Sequence, residues 1–157
     1  MGYFTARFGM PLTAFDGLCL LLRHKLYSLC SAIPHMERLA VLQVHSVGLP
    51  VLRLMRHHLK PTTAALQRFG SQATCHALDL SDIQVVALLH TREQPLHLDI
   101  QPGYVILRHA GQILGCGLYT PGRLRSQLPQ HAIASLSQEY SSQGVGSSGI
   151  HDGQGFA

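Results

Sequence analysis

Between residues 103 and 125 the chain reads GYVILRHAGQILGCGLYTPGRLR, two apolar runs, 104–107 and 113–119, on either side of a break at Ala110-Gly111. Short apolar runs divided by a glycine-containing pair predict a β-hairpin. With a two-residue loop, His109 stands against Gln112, Leu107 against Leu114, and Val105 against Cys116. In that register Val105, Leu107, Leu114, Cys116 and Leu118 share the face suited to a core, while Tyr104, Ile106, Arg108, Ile113 and Tyr119 share the other. A three-residue loop exchanges the faces on one strand, because strand side chains alternate with a period of two. Gly115 and Gly117 lie inside the second run, where glycine marks a bend, a bulge or a close backbone approach.

The same patterning divides the rest of the chain. After the Gly9-Met10-Pro11 break, Leu12, Phe15 and Asp16 predict one or two helical turns that Gly17 ends. Apolar runs 18–23 and 26–31 around His24-Lys25 predict a second hairpin, 34–37 a turn, and 39–46 and 51–55 further strands. Pro61 suits the first position of a helix over 62–69, with Ala65, Leu66 and Phe69 inward and Gly70 as its stop. Residues 77–80 read as a short strand or extended connector. Ser81 with Gln84 makes a capping box ahead of Val85, Val86, Leu88 and Leu89; this predicts a helix, although the β-branched residues also suit a strand. Residues 95–100 read as extended and 123–128 as a last strand. Ser, Gln and Gly dominate from residue 135, and 141–157 reads as a disordered tail.

Composition narrows the classes. Of 157 residues, 46% are hydrophobic and 13% charged, enough for a core and too apolar for general disorder. The net charge is +4. It is unevenly spread: Arg38, Arg53, Arg56, Lys60 and Arg68 lie between Glu37 and Asp79 with no acid among them, as do Arg108, Arg123 and Arg125 between Asp99 and Glu139. Such segments are either a solvated basic surface or one phosphate-facing patch. Cys19, Cys30, Cys75 and Cys116 form no C-x-x-C, and three of them sit in or beside apolar runs, which predicts buried thiols rather than a disulfide framework. The longest apolar run, 18–22, is too short to span a bilayer, and no signal-peptide pattern precedes it; the expectation is a soluble cytoplasmic protein with no membrane partner.

Little of this carries catalysis. The string Gly144-Val145-Gly146-Ser147-Ser148-Gly149 fits G-x-G-x-x-G, but a dinucleotide site needs a strand before it and an acidic residue about twenty positions on, and the tail supplies neither. The 11 histidines show no H-x-x-x-H or H-E-x-x-H spacing, so no metal site is expected. The 8 acids are scattered, no nucleophile motif occurs, and no cofactor is implied. A binding surface remains: Arg108, Arg123, Arg125 and Lys60 for phosphates, with Tyr104 and Tyr119 either stacking on unpaired bases or filling the core.

KPTTAALQRFG, then ALDLS, then PGYVILRHAGQILGCGLYTPGRLRSQLP together resemble a PUA domain, and more narrowly the PUA-like C-terminal module of Sun (RsmF-like) RNA cytosine-5 methyltransferases. The resemblance runs from about residue 53 to 129, and YFTARFGMPLTAFDG is similar to a segment that precedes the module in some such proteins. It implies a compact β-barrel with small helices; joined to the patterning, the reading is an α+β chain with a small α+β unit over 1–55, a PUA-like β-barrel with short helices over 56–130, and a flexible tail over 131–157. It implies binding of structured RNA, ribosomal or transfer, with no DNA partner. Carried over by position, Lys60, Arg68, Gly70 and Gln72 lie near the RNA groove, joined by Arg108, Arg123 and Arg125. No S-adenosylmethionine motif or catalytic Pro-Cys is found; Thr74-Cys75 has suitable letters but no catalytic domain around it, and Cys75 is read as structural. The expectation is a stand-alone, non-catalytic RNA-binding module acting in RNA modification or ribosome biogenesis, with an RNA-modifying enzyme as a second candidate partner; the alternative is a protein-interaction adaptor using the apolar residues 1–55, or an accessory subunit of an RNA methyltransferase.

Overall fold

The computed structural model describes residues 1–32 and 47–143. The expected turn at 34–37 and strand at 39–46 lie outside the described residues, as does the tail beyond 143. The fold is α+β: helix α1 (Gly2–Phe8), a 3-10 turn (Leu12–Phe15), strands β1 (Leu18–Arg23), β2 (Leu26–Ser31), β3 (Leu49–Leu54) and β4 (Leu59–Pro61), helix α2 (Thr63–Phe69), β5 (Ala77–Asp79), α3 (Asp82–Thr91), β6 (Glu93–Pro95), β7 (Gly103–His109), β8 (Gln112–Thr120), β9 (Arg123–Ser126) and α4 (Gln130–Gln143). The strands make two sheets, ordered β1-β2-β3-β4 and β5-β7-β8-β9-β6. The expected boundary after residue 55 falls between β3 and β4, which pair antiparallel in one sheet.

Both hairpins form around two-residue turns. His24 and Lys25 have φ of 46° and 67°, and Ala110 and Gly111 have φ of 47° and 77°, the double left-handed geometry that matches strand twist. In the first hairpin the register runs unbroken from Leu18↔Ser31 to Arg23↔Leu26. In the second, His109↔Gln112 holds as expected, but a bulge between Leu107 and Arg108 sets Leu107 against Gly115 and Val105 against Gly117. Val105 therefore does not face Cys116; Ile106 does. The cause is local: Gly115 takes φ +146°, and a Cβ there would come within 2.6 Å of Leu128 Cδ2 and 2.7 Å of Thr63 Cγ2.

The slip leaves the middle of β7 with no solvent face. Ile106 joins a core with Phe4, Phe8, Phe15, Leu66 and Cys116, and Val105 and Leu107 join another with Leu80, Val85, Leu88 and Leu124. Val105, Ile106 and Leu107 are each 0% exposed. Helix α1 fills the first core through Phe4 and Phe8, one turn apart on one face. Phe15 from the 3-10 turn meets the Phe69 ring at 5.0 Å between centroids.

Other elements have plain local causes. Pro61 ends β4 rather than opening α2; the cap is Thr62, whose hydroxyl accepts from the Ala65 N–H at 3.1 Å. Ala65, Leu66 and Phe69 are buried as the pattern predicts. The capping box at α3 forms, with the Gln84 side-chain oxygen accepting from the Ser81 N–H at 2.9 Å, and residues 82–91 are helix rather than strand. Of the residues read as extended over 95–100, only Pro95 lies in a strand, as the last residue of β6. Residues 130–143, expected largely as tail, form α4, because Ile133, Leu136 and Tyr140 recur at helical spacing and pack on the second core.

Candidate nucleic-acid interface

The residues expected to meet phosphate separate into three places. The first is a row on the outer face of β9. Burial alternates along the strand, placing Arg123 and Arg125 outward and Leu124 and Ser126 inward. Gln127 follows in the same alternation, its side-chain oxygen accepting from Lys60 Nζ at 2.7 Å. Lys60 in turn stands across the β3–β4 ladder from Arg53. Arg53, Lys60, Gln127, Arg125 and Arg123 thus form one cationic row. A shallow cleft of about 240 Å³ opens at its Lys60 end, between Arg53, Thr62, Thr63 and Gln127.

The row is less charged than the sequence suggests. Glu93 on the neighbouring β6 sits between the arginines, 3.3 Å from Arg123 and 3.2 Å from Arg125. Arg108 also has an acid, Asp79 at 2.7 Å, its register partner on parallel β5. These acids lie outside the acid-free stretch that made the segment look basic. Arg108, the second place, is also apart from the row: Arg125 pairs with Leu118 and Leu118 with Tyr104, which is about 13 Å along β7 from Arg108.

The third place is the end of α2. Arg68 and Gln72 are exposed there, the Arg68 guanidinium 5.6 Å from the centre of the Phe69 ring. Gly70 is buried, and a Cβ there would come within 2.9 Å of Ile113 Cδ1, so its absence of side chain serves packing against β8.

The two tyrosines part company. Tyr119 is core, its hydroxyl donating to the Leu98 carbonyl at 2.9 Å and accepting from the Leu98 N–H at 3.0 Å. Tyr104 is half-buried and lines an apolar cleft of about 370 Å³ with Tyr3, Arg7 and His58. Its hydroxyl lies 3.1 Å from His58 Nε2. Arg7 donates from Nε to the Tyr104 carbonyl at 2.8 Å and from Nη2 to the Gln101 carbonyl at 3.0 Å. Burial lowers the Arg7 pKa and raises those of Tyr3 and Tyr104, so both hydroxyls remain protonated donors. Sequence reasoning missed Arg7 and His58 because nothing local joins them to Tyr104. The available signal was the pair Tyr3 and Arg7 at helical spacing beside Phe4 and Phe8.

The thiols also differ from expectation. Only Cys116 is buried, which pushes its pKa up to about 12. Cys75 is exposed, in the loop after α2, with its thiol 3.5 Å from the Arg7 carbonyl. Cys19 and Cys30 are cross-strand partners with sulfurs 3.2 Å apart. Among the described residues no three His, Cys, Asp or Glu side chains are placed to hold a metal ion, and no helix is long and apolar enough to cross a membrane.

Residues 75–133 match the family model of the methyltransferase RsmF PUA domain. That stretch, from the loop before β5 into α4, is a PUA-like module of the Sun/RsmF type. It contains Arg108, Arg123 and Arg125, whereas Lys60, Arg68, Gly70 and Gln72 precede it. No curated protein matches the chain.

Proposed function

We propose that this chain binds structured RNA, ribosomal or transfer, as a non-catalytic module acting beside an RNA-modifying enzyme. The match of residues 75–133 to a PUA domain of an RNA methyltransferase carries the reading. The contact surface is the row of Lys60, Arg125 and Arg123, extended by Arg53, with Arg68 and Gln72 at the end of α2 and Arg108 on β7 as separate contacts. Arg123 and Arg125 are 59% and 58% exposed, so their pairs with Glu93 contribute little and open readily to a phosphate.

The test is RNA binding at several salt concentrations, with a transfer RNA and a ribosomal hairpin as probes. The triple variant Lys60→Ala, Arg123→Ala, Arg125→Ala is expected to lower the salt slope by roughly one for each phosphate that is no longer neutralised. An unchanged slope removes the row as the contact surface. No binding by the unaltered chain at low salt overturns RNA binding itself.

A further inference from the structure

The cleft beside α1 has a feature that Arg123 and Arg125 lack: a guanidinium held in place with no acid beside it. Arg7 is gripped from behind by the carbonyls of Tyr104 and Gln101. Its guanidinium lies against Gly103, where a Cβ would stand 3.1 Å from Cζ and from Nη2. Gly103 also takes φ +132°, so a side chain there is excluded on both counts. Among the described residues no carboxylate pairs with Arg7 and no acceptor meets its Nη1. The positive charge is thus preorganised and unspent.

The walls around it are aromatic. The His58 and Tyr104 rings lie 5.9 Å apart at a 38° tilt, and Tyr3 stands on the same side of α1 as Arg7. His58 is exposed, so this edge is open to solvent. At about 370 Å³ the cleft falls in the range of small-molecule sites, about 300–1,000 Å³. A flat ring with an adjoining anion satisfies both parts: the ring stacks on aromatic faces and the anion meets a fixed guanidinium.

We propose that this cleft holds one unpaired nucleobase of the bound RNA, stacked at Tyr104 and His58, with the adjoining phosphate on Arg7. The inference rests on the reading of the chain as an RNA-binding module and adds a site outside the matched stretch except at Tyr104 and its neighbours. It gives the module a means of selecting unpaired over fully paired RNA.

The experiment uses the full chain with two RNA probes, a hairpin with an unpaired loop and a blunt duplex of equal length. Tyr104→Ala is expected to weaken loop binding by about 5- to 150-fold, the span found for removal of one stacked base. Duplex binding stays unchanged. His58→Ala, an exposed position that leaves the cores intact, is expected to weaken the loop alone in the same direction. Equal losses on both probes, or no loss on either with both variants, overturn the cleft as a base site while leaving dependence on Arg123 and Arg125 intact. Failure of the unaltered chain to bind either probe overturns the RNA-binding reading instead.

Discussion

The two hairpins share a turn geometry and differ in almost everything else. Leu18–Ser31 pairs without a break, its outer strand β1 lies at a sheet edge, and Leu20 and Leu22 remain 39% and 56% exposed. In the β7–β8 hairpin a bulge interrupts the register, and the inner strand is closed off on both faces. Turn residues specify that a hairpin forms, since they act over four positions. Which face is buried depends on what arrives from elsewhere, here α1 and α2 on one side and α3 and α4 on the other.

The sharpest way to break this contrast is at the bulge. Gly115→Val places a branched side chain on Leu128 and Thr63 at a left-handed backbone and is expected to cost about 3–6 kcal/mol, enough to prevent folding. Urea unfolding checks it, and a midpoint within error of the unaltered chain would remove the bulge as a packing requirement. Next, Ile106→Ala is expected to cost about 3 kcal/mol and Leu20→Ala about 0.5 or less, although both sit in hairpin strands. Comparable losses would mean that β1 is as tightly enclosed as β7. The smallest effect is at the first turn, where Lys25 bears φ 67° without being glycine. Lys25→Gly is expected to stabilise by about 0.5 kcal/mol, relief of the left-handed cost exceeding the added chain entropy; a lower thermal midpoint would contradict it.

What was legible in the sequence follows the range of the forces involved. The His24-Lys25 and Ala110-Gly111 turns, the capping box of Ser81 and Gln84, and the inward stripe of Ala65, Leu66 and Phe69 are local, and each was readable within a few residues. Helix α1 was not: its 7 residues carry no side-chain cap, and its buried face amounts to Phe4 and Phe8. The bulge escaped because Gly115 announces a departure from regular pairing but not its direction. The site suffered most. That Arg123 and Arg125 share one strand face was readable from their spacing, yet Glu93, which stands between them, became visible only through the β6–β9 pairing. The Arg7 cleft joins residues 97 apart in the chain, beyond the reach of any spacing rule.

The double burial of β7 has a consequence for how the chain is made. Phe4, Phe8 and Phe15 find part of their cover in Ile106 and Cys116, which follow them by roughly a hundred residues. At ribosomal speeds of about 5–20 residues per second, those rings wait on the order of 5–20 s for the strand that seals them. The first sheet therefore assembles against an unfinished wall until β7 and then β8 arrive, and the second core waits longer still, for Leu124 and Leu128. For a nascent chain, that interval is when apolar surface is most exposed and when a holding chaperone would matter most.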